Sequence, residues 1–484
     1  MKNLATKINQ FSNFHLIFLI FIYCFVINNN FFMKYKHIHF VGIGGISMSA
    51  LAKLCFSKGV FVSGSDKTKS DITDELTHIG MEIHIGHRKS NVKNVDLLVY
   101  TCAVGEDNVE LSYARQRGIE VLERADFLGK LSKDYNTVIA IAGSHGKTTV
   151  CSMVGKVFNV AGLNPTILVG GEGETGNLQI GENNEYLIVE ACEYKEHFLK
   201  LKHDVSLILN IDYDHPDFYK NSSEYMKAFE HFAKTTSKQN VICEKHMMFL
   251  GDTSAITYGT GGDFVARHIK HFDNKIKFDV YKKQKYYDTY TINMIGLYNV
   301  LNALCVIAVC DFFGINKDVQ KAALEQFVGI KRRYECMGKL NNNIVIADYA
   351  HHPSQIKNCI EATRQTYKKK IVVLFEPHTY TRTKALFNDF VNSLYLADYV
   401  YFLPTYSARE KAIKGAKSKD LYDALVRKQN NCKYIKNYEK CLEEVAKVRD
   451  SVILILGAGS IYQIAQQLKS EYLHNQSNCS KTLD

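Results

Sequence analysis

The residues best suited to chemistry lie in one glycine loop, GSHGKTT, at 143–149. The apolar run 137–142 before it predicts a buried β-strand, and the periodic apolar segment 150–161 after it predicts a helix. A strand, a glycine loop and a helix in this order place backbone N–H groups and a helix N-terminus around a phosphate. Lys147 would reach the outer phosphates, and the Thr148 hydroxyl could bind Mg²⁺. The sequence therefore predicts a site for a nucleoside triphosphate.

This loop has a shortened form of the usual phosphate-loop pattern. Ile141 stands where the first glycine belongs, so that G-x-x-G-K-T remains. The alternative is a tight turn with a solvated lysine, but the flanking strand and helix favour phosphate binding. The residues assigned to ATP in this loop are Gly143, Ser144, His145, Gly146, Lys147, Thr148 and Thr149.

A second glycine loop, GIGGIS at 42–47, follows a predicted strand at 36–41. It approximates the dinucleotide fingerprint, with Ser47 in place of the last glycine. A second strand then ends at Ser65 and Asp66, where an acidic residue could meet a ribose hydroxyl. This weak signal predicts a phosphorylated nucleoside without specifying which one. The alternative is that the glycines only form a tight turn.

Two polar residues follow predicted strands of the central region. Glu190 closes the strand 185–189, and His215 follows the strand 205–209. Because the carboxyl ends of parallel strands converge on one crevice, both are expected near Lys147. A carboxylate beside a phosphate loop holds Mg²⁺ directly or through water. The alternative is that both are ordinary surface residues.

Asn299 and Asn302 lie three positions apart and share one face of a predicted helix that extends to residue 313. Their carboxamides could read the edge of a base, although a cap and a helix contact would explain them equally. Further along the chain, polar loops containing His351 and Arg382 follow predicted parallel strands. Adjacent loop histidines seldom bind one metal ion, so hydrogen bonding to a carboxylate or a phosphate is expected there.

Length and composition limit the number of domains, the class of partner and the state of the cysteines. A chain of 484 residues predicts about three domains. A net charge of +10 without a dense Lys/Arg block does not indicate a nucleic-acid partner and suits polyanionic small substrates. The thirteen cysteines include no C-x-x-C pair, as expected for free thiols in a reducing cytoplasm.

Several motifs, in order from His37 to Gln467, resemble those of the Mur ligases of peptidoglycan synthesis. They are HFVGIGGISMSALA, AGSHGKTT, VEACEYKEHFL, NIDYDH, GLYNVLNAL, GIKRRYE, DYAHHPSQI, EPHTYTRTKAL and LGAGSIYQIA. The resemblance implies an α/β protein of three domains. These are a Rossmann-like domain at 33–130 for a UDP-sugar, a central P-loop-type ATPase domain with a mainly parallel sheet at 131–335, and a Rossmann-like domain at 336–470 for the amino acid. A polar tail, 471–484, would follow.

The resemblance also assigns individual residues. Tyr298 departs from it, because the family usually has histidine before Asn299. The residues that match are Gly42, Gly44, Gly45, Ser65 and Asp66 for UDP-sugar contacts, Lys147 and Thr148 for the ATP loop, Glu190 and His215 with Thr148 for Mg²⁺, Asn299 and Asn302 for adenine, and Arg332, His351 and Arg382 for interdomain and substrate contacts, with Arg332 placed at the ATP site.

The implied reaction is ATP-dependent amide formation between UDP-N-acetylmuramate and L-alanine, with ATP and Mg²⁺ as cofactors. The substrate carboxylate would attack the γ-phosphate to give an acyl phosphate, and the amine would then displace phosphate. Catalysis would rest on positioning and charge stabilisation, with Lys147 and Arg382 as catalytic residues. His351 is a candidate to take the proton of the amine, because its ordinary pKa is near neutrality.

Three alternatives remain at this point. A nicotinamide dehydrogenase would use the loop 42–47 but leave the phosphate loop unexplained. A membrane-anchored nucleotide-binding module would leave His351 and Arg382 without a role. A sister ligase that adds a whole peptide to UDP-N-acetylmuramate is hardly separable from the first choice on sequence logic.

The N-terminal segment carries an apolar run, 14–27, that resembles a short anchor or a signal segment. Because the run is short for a spanning helix, and because Met33 stands just before the first strand, we expect translation to begin at Met33. Residues 1–32 would then take no part in the fold, and the protein would be cytoplasmic. The alternative is a real anchor on the inner membrane face.

Overall fold

The computed structural model describes residues 31–173, 176–251, 253–272 and 274–471. The apolar run 14–27 and nearly all of the predicted tail lie outside the described residues. The described residues form two compact units. The first contains those up to Val138 together with 177–187 and 200–202, and the second contains the others. None of the helices within these ranges is both long and apolar enough to cross a membrane.

The first unit contains an open parallel sheet with helices between its strands. Its strands are β1 His37–Val41, β2 Phe61–Asp66, β3 Glu82–Ile85, β4 Leu97–Tyr100 and β5 Glu120–Glu123, in the order β3-β2-β1-β4-β5. Its helices are α1 Phe31–Lys34, α2 Ile46–Ser57, α3 Asp71–His78, α4 Val109–Gln116 and α5 Arg124–Leu131. The strand order reverses at β1, where ligands of such sheets bind. The glycine loop that follows β1 therefore lies at the predicted place.

Phe31 and Phe32, in the helix α1, pack into the first unit. This differs from the prediction that residues 1–32 take no part in the fold. The Phe31 ring contacts the Phe127 ring edge-on, with 5.2 Å between the centroids. The backbone N–H of Phe31 donates to Asp134 Oδ2 at 2.9 Å, and Phe32 is buried. Phe31 and Phe32 thus belong to the fold of the first unit, because their aromatic side chains bury apolar surface there.

The central sheet has ten strands, one of which leads directly into the phosphate loop. They are β6 Thr137–Ala142, β7 Thr166–Gly173, β8 Gly176–Gln179, β9 Tyr186–Glu190, β10 Val205–Ile208, β11 Gln239–Cys243, β12 Ile256–Tyr258, β13 Phe264–Phe272, β14 Lys275–Lys282 and β15 Lys285–Ile292. The pairings from β6 through β10, β11 and β12 to β13 are parallel, whereas β13, β14 and β15 form an antiparallel extension. The helices here are α6 Lys147–Val160, α7 Ser222–Lys234, α8 Glu244–Leu250, α9 Leu297–Phe312 and α10 Lys317–Gln326.

A third sheet lies within the second unit. Its strands are β16 Glu335–Leu340, β17 Asn343–Asp348, β18 Lys370–Phe375, β19 Tyr399–Phe402, β20 Cys432–Tyr434 and β21 Ser451–Leu456, in the order β16-β17-β21-β18-β19-β20. Only β16 pairs antiparallel among these described strands. The helices are α11 Pro353–Thr366, α12 Tyr380–Ala385, α13 Phe387–Leu394, α14 Ser418–Val426, α15 Tyr438–Val445 and α16 Tyr462–Glu471.

The central strands of this sheet are buried on both faces. Val373 and Phe375 of β18 enter one apolar cluster, whereas Val372 and Leu374 enter the other. Such continuous apolar strands are typical of parallel sheets covered by helices. The three sheets confirm the predicted α/β class, while the domain boundaries at 130 and 335 stay predictions.

Candidate active site

The phosphate loop lies between β6 and α6 and is held by the segment after β10. Ser144 Oγ donates to the carbonyl of Asp212 at 2.6 Å, and the His145 N–H donates to Asn210 Oδ1 at 2.8 Å. Gly146 has a φ of +85°, and a Cβ there would lie 3.1 Å from Asn302 Oδ1. A glycine is therefore required at the position immediately before the helix begins.

Lys147, the first residue of α6, forms a buried ion pair. Its Nζ donates to the Gly143 carbonyl at 2.5 Å and lies 2.8 Å from Glu193 Oε2. The other oxygen of Glu193 lies 3.3 Å from His215 Nε2. Burial alone would raise the pKa of Glu193, but Lys147 and His215 lower it to about 2. A charged carboxylate thus joins the predicted phosphate lysine to a predicted metal ligand.

Sequence reasoning missed Glu193. It selected Glu190 because that residue ends a strand, whereas Glu193 comes three positions later in VEACE. The motif contains two acidic residues, and this was the available signal. Local sequence gives no indication of which carboxylate turns towards Lys147.

The side chains assigned to Mg²⁺ can be compared with the oxygen donors that this ion prefers. Glu190 Oε1 accepts the Gly170 N–H at 2.6 Å, and a Cβ at the adjacent Gly171 would lie 3.1 Å from Thr148 Cγ2. These neighbouring glycines bring Glu190 and Thr148 to one place. Within the described ranges, no group of three or more His, Cys, Asp or Glu side chains could hold an ion by itself. Since Mg²⁺ commonly takes one or two carboxylates and completes its shell with phosphate and water, the donors fit Mg²⁺ bound with a nucleotide.

Replacing Glu190 by glutamine tests this assignment. The amide keeps the shape of the side chain but removes the charge, so we expect half-maximal activity to require a much higher Mg²⁺ concentration. The measurement is initial rate against Mg²⁺ concentration at saturating ATP. Glu185→Gln, just before the other end of β9, is the matched control and should follow the wild type. If both variants superimpose on the wild type, Glu190 is not a ligand.

A cavity of about 170 Å³ opens beside the loop. Asn299 and Asn302 both line it, and Asn302 Nδ2 donates to Asn299 Oδ1 at 3.1 Å. Asn299 Nδ2 donates to the Ile295 carbonyl at 2.8 Å, so both carboxamides are held in fixed orientations. Other lining residues come from the loop, from the helix α9 and from the third sheet and its helices, and they include His145, Gly146, Tyr298, Arg333, Asp348, Gln355 and Asn358.

Arg332 is not among the residues that line this cavity, and its assignment to the ATP site stays a prediction. Its guanidinium lies 4.8 Å from the Tyr349 ring centroid and 4.9 Å from that of Tyr462, and Nη2 donates to the Ala458 carbonyl at 3.2 Å. Arg333 lines the cavity instead. The Arg333 guanidinium also lies 4.7 Å from the Tyr349 ring centroid, and the sequence GIKRRYE could not decide which of the two arginines lines the cavity.

His351 and Arg382 both lie next to His378 in the second unit, and Arg382 also pairs with Asp214. Arg382 Nε lies 2.8 Å from Asp214 Oδ1, and both side chains are almost fully buried, at 6% and 3% exposed. Burial alone would raise the pKa of Asp214, but the Arg382 guanidinium holds it well below its usual range. Arg382 Nη1 also donates to His378 Nδ1 at 3.1 Å.

The ring of His351 is oriented by the hydrogen bond of its Nδ1. Its Nδ1 lies 2.8 Å from the Tyr349 carbonyl, so that Nδ1–H donates and Nε2 keeps its lone pair. Burial, together with the Arg382 charge, lowers the pKa of His351 well below its usual value. His351 is therefore neutral at physiological pH.

A second set of contacts joins the phosphate loop to the helix α11. Ser354 Oγ lies 2.9 Å from His145 Nε2 and donates to Asp212 Oδ2 at 3.1 Å. His352 caps α11, and its Nε2 lies 3.2 Å from the Tyr213 carbonyl. Sequence reasoning placed His145 in the loop and His352 in a polar loop, but it missed Ser354, because the partners of Ser354 lie more than a hundred residues away.

The glycine loop of the first unit has the expected form. The Gly42 N–H donates to the Ser65 carbonyl at 2.8 Å, and the Gly44 N–H donates to Asp66 Oδ2 at 2.9 Å. Gly42 has a φ of +82°, and a Cβ there would lie 2.6 Å from Thr101 Cγ2. Gly45 follows as the residue before α2. The structure thus brings together all five residues assigned to the UDP-sugar.

The Ser65 side chain, however, faces a buried carboxylate. Ser65 Oγ donates to Glu110 Oε2 at 2.6 Å, and His87 Nδ1 lies 2.9 Å from the same oxygen. The other oxygen accepts from Asn91 Nδ2 at 2.6 Å. The Ser65 hydroxyl therefore fixes the end of β2, and Glu110, missed in the sequence, ties β2, the 86–91 segment and α4 together.

Replacing Glu110 by glutamine tests this role. The amide adds two donors where Ser65, His87 and Asn91 need an acceptor, so we expect a loss of about 1–3 kcal/mol in the free energy of unfolding. We also expect UDP-sugar to raise the melting temperature less than in the wild type. Glu106→Gln, which removes an exposed carboxylate nearby, should change neither quantity. Equal melting curves for both variants would contradict the role of Glu110.

Three family models match the chain along almost all of its described length. They are the Mur ligase family catalytic domain at residues 37–136, the Mur ligase middle domain at 141–310 and the Mur ligase glutamate ligase domain at 332–459. The chain belongs to the Mur ligase family.

Particular relatives narrow the comparison. The chain is 44% identical to the UDP-N-acetylmuramate–L-alanine ligase of Clostridium tetani, over 89% of this chain and 98% of the relative. The crystal structure of the UDP-N-acetylmuramate–alanine ligase of Thermotoga maritima matches with a TM-score of 0.78 and 30% identity, over 90% and 98% of the two chains. A murein peptide ligase from Psychrobacter arcticus has a TM-score of 0.66 at 22% identity, over 90% of this chain and 98% of that chain, which shows the fold alone.

Proposed function

We propose that the chain is an ATP-dependent ligase that joins L-alanine to the carboxylate of UDP-N-acetylmuramate in peptidoglycan precursor synthesis. The observation that carries this proposal is the 44% identity to an L-alanine ligase over nearly the whole of both chains. The site supports it, because the phosphate loop, Glu190, the cavity at Asn299 and the His351–Arg382 group provide a place for each part of the reaction. ATP and UDP-sugars are cytoplasmic, so we assign the enzyme to the cytoplasm.

The roles of the residues follow from their positions. Lys147 and the loop amides would stabilise charge on the triphosphate, and Mg²⁺ bound with it would offset the charge of the γ-phosphate. Thr148, Glu190 and His215 would hold that ion. Asn299 and Asn302 would contact adenine, with Arg333 rather than Arg332 in the wall of the same cavity.

The chemistry requires no protein nucleophile. The substrate carboxylate attacks the γ-phosphate, which gives an acyl phosphate and ADP. The free amine of alanine then attacks the carbonyl, and inorganic phosphate leaves. His351, neutral and with Nε2 able to accept, would take the proton that the amine loses, and Arg382 would orient an anionic group.

The alternatives differ in support. A nicotinamide dehydrogenase is excluded by membership of the Mur ligase family. A peptide-adding sister ligase shares the fold, but the identity to its structure is 22% against 30% for the alanine ligase structure. This difference favours alanine as the acceptor.

The test is phosphate release from ATP in the presence of UDP-N-acetylmuramate, comparing L-alanine, glycine, L-serine and a tripeptide. We expect L-alanine to give the highest kcat/KM. A preference for the tripeptide would replace this proposal by the sister ligase. Nucleotide hydrolysis that no acceptor stimulates would contradict ligase activity of either kind.

A further inference from the structure

Lys147 of the phosphate loop and Glu193 form a buried ion pair. Glu193 is 2% exposed and Lys147 is 16% exposed, and the separation of Nζ and Oε2 is 2.8 Å. The lysine assigned to the triphosphate is therefore paired with a carboxylate of the chain itself. A nucleotide must compete with a carboxylate for it.

Glu193 is held through its backbone carbonyl and through its side chain. Its carbonyl accepts the Tyr219 hydroxyl at 2.5 Å and the Glu196 N–H at 3.0 Å. Its second carboxylate oxygen faces His215 at 3.3 Å. Since the carbonyl is held and the side chain is buried against His215, the carboxylate stays close to the phosphate loop when Lys147 turns to a ligand.

A fixed carboxylate at this place discriminates between forms of a nucleotide. A metal-free triphosphate must draw Lys147 away from Glu193, because it brings no cation of its own to offset its negative charge. A nucleotide with a bound divalent cation carries less charge, so its binding depends less on Lys147 leaving the carboxylate. The penalty from Glu193 is thus larger for the metal-free form.

We propose that Glu193 is the counter-ion that Lys147 exchanges for the triphosphate, and that it makes the phosphate loop selective for metal-bound nucleotide. The inference rests on the proposed function, since it takes ATP as the ligand. It makes Glu193 a positioning residue that acts through Lys147. It predicts an effect on binding that is independent of turnover.

The experiment measures ATP binding to the full chain by calorimetry, without UDP-sugar or alanine, in EDTA and then in excess Mg²⁺. For Glu193→Gln we expect ATP in EDTA to bind at least about tenfold more tightly than to the wild type, at the low end of measured couplings between close charges. In Mg²⁺ the affinity should stay the same or weaken. The ratio of the dissociation constant in EDTA to the dissociation constant in Mg²⁺ is therefore lower for Glu193→Gln than for the wild type.

Two controls separate this effect from a general loss of negative charge. Glu196→Gln removes an exposed carboxylate from the same segment and should leave the ratio unchanged. In a Lys147→Ala background, Glu193→Gln should no longer tighten binding in EDTA, because Glu193 acts through the lysine. A ratio for Glu193→Gln equal to that of the wild type overturns the inference, and so does tightening that persists without Lys147.

Two further measurements separate a folding defect of the Glu193→Gln variant from a failure of the proposed function. If Glu193→Gln does not fold, Glu193→Asp keeps the charge but cannot reach both partners, and it should tighten binding in EDTA at least about twofold by weakening the pair. An unchanged ratio in that variant also overturns the inference. If the wild type binds no ATP in either condition, the proposed function fails, whereas binding by the wild type with no effect of Glu193 leaves the function standing.

Discussion

Lys147→Ala is expected to lower turnover at least about 10²–10³-fold, the scale found when one group that stabilises transition-state charge is removed. The physical reason is the loss of the cation at the first residue of α6, directly after the glycine loop. The same variant leaves Glu193 buried without its ammonium partner, so it should also lose about 3–5 kcal/mol in the free energy of unfolding. The measurements are kcat and urea denaturation of the same preparations.

A double variant separates the two effects. Lys147→Ala with Glu193→Gln removes both charges, so that stability should largely return while activity stays low. Activity near that of the wild type in the single variant, with a folded protein, would contradict the phosphate site. Equal stability of the single variant and the wild type would contradict the buried ion pair.

Arg382→Ala is expected to destabilise the protein by about 3–5 kcal/mol, because it leaves Asp214 buried and unpaired. The pair joins the segment after β10 to the helix α12, so its loss should also remove ligase activity. Urea denaturation followed by circular dichroism measures the first effect, and phosphate release measures the second.

Arg364 provides the matched control for this variant. It pairs with Asp398 at 3.1 Å, but both side chains are exposed, at 47% and 38%. Arg364→Ala should therefore cost at most about 1 kcal/mol and leave activity intact. Equal losses for the two arginines would show that the pair between Arg382 and Asp214 has no special role.

The sequence predicted those parts of the fold whose signals are local. A strand that passes through glycines into a helix is encoded in consecutive residues, so both the 42–47 loop and the phosphate loop were placed correctly. The antiparallel extension, Phe264–Ile292, was not predicted. This segment contains none of the family motifs, and its Lys, Tyr and Ile residues indicate no catalytic or binding role.

The site was predicted less completely than the fold. Which carboxylate pairs with Lys147 depends on how the chain turns after β9, and the contacts of Ser354 and Asp214 depend on packing between sheets distant in sequence. Arg332 and Arg333 illustrate the same limit, because a turn decides which guanidinium faces the cavity. These choices are made by tertiary packing rather than by local pattern.

The central claim is that the UDP-sugar carboxylate is activated as an acyl phosphate, and an isotope measurement tests it most directly. UDP-N-acetylmuramate labelled with oxygen-18 in its carboxylate is converted with ATP and L-alanine, and the inorganic phosphate is analysed by mass spectrometry. The account predicts one labelled oxygen in each phosphate released, together with ADP and the alanyl amide. Amide formation with unlabelled phosphate, or with AMP as the nucleotide product, would contradict it.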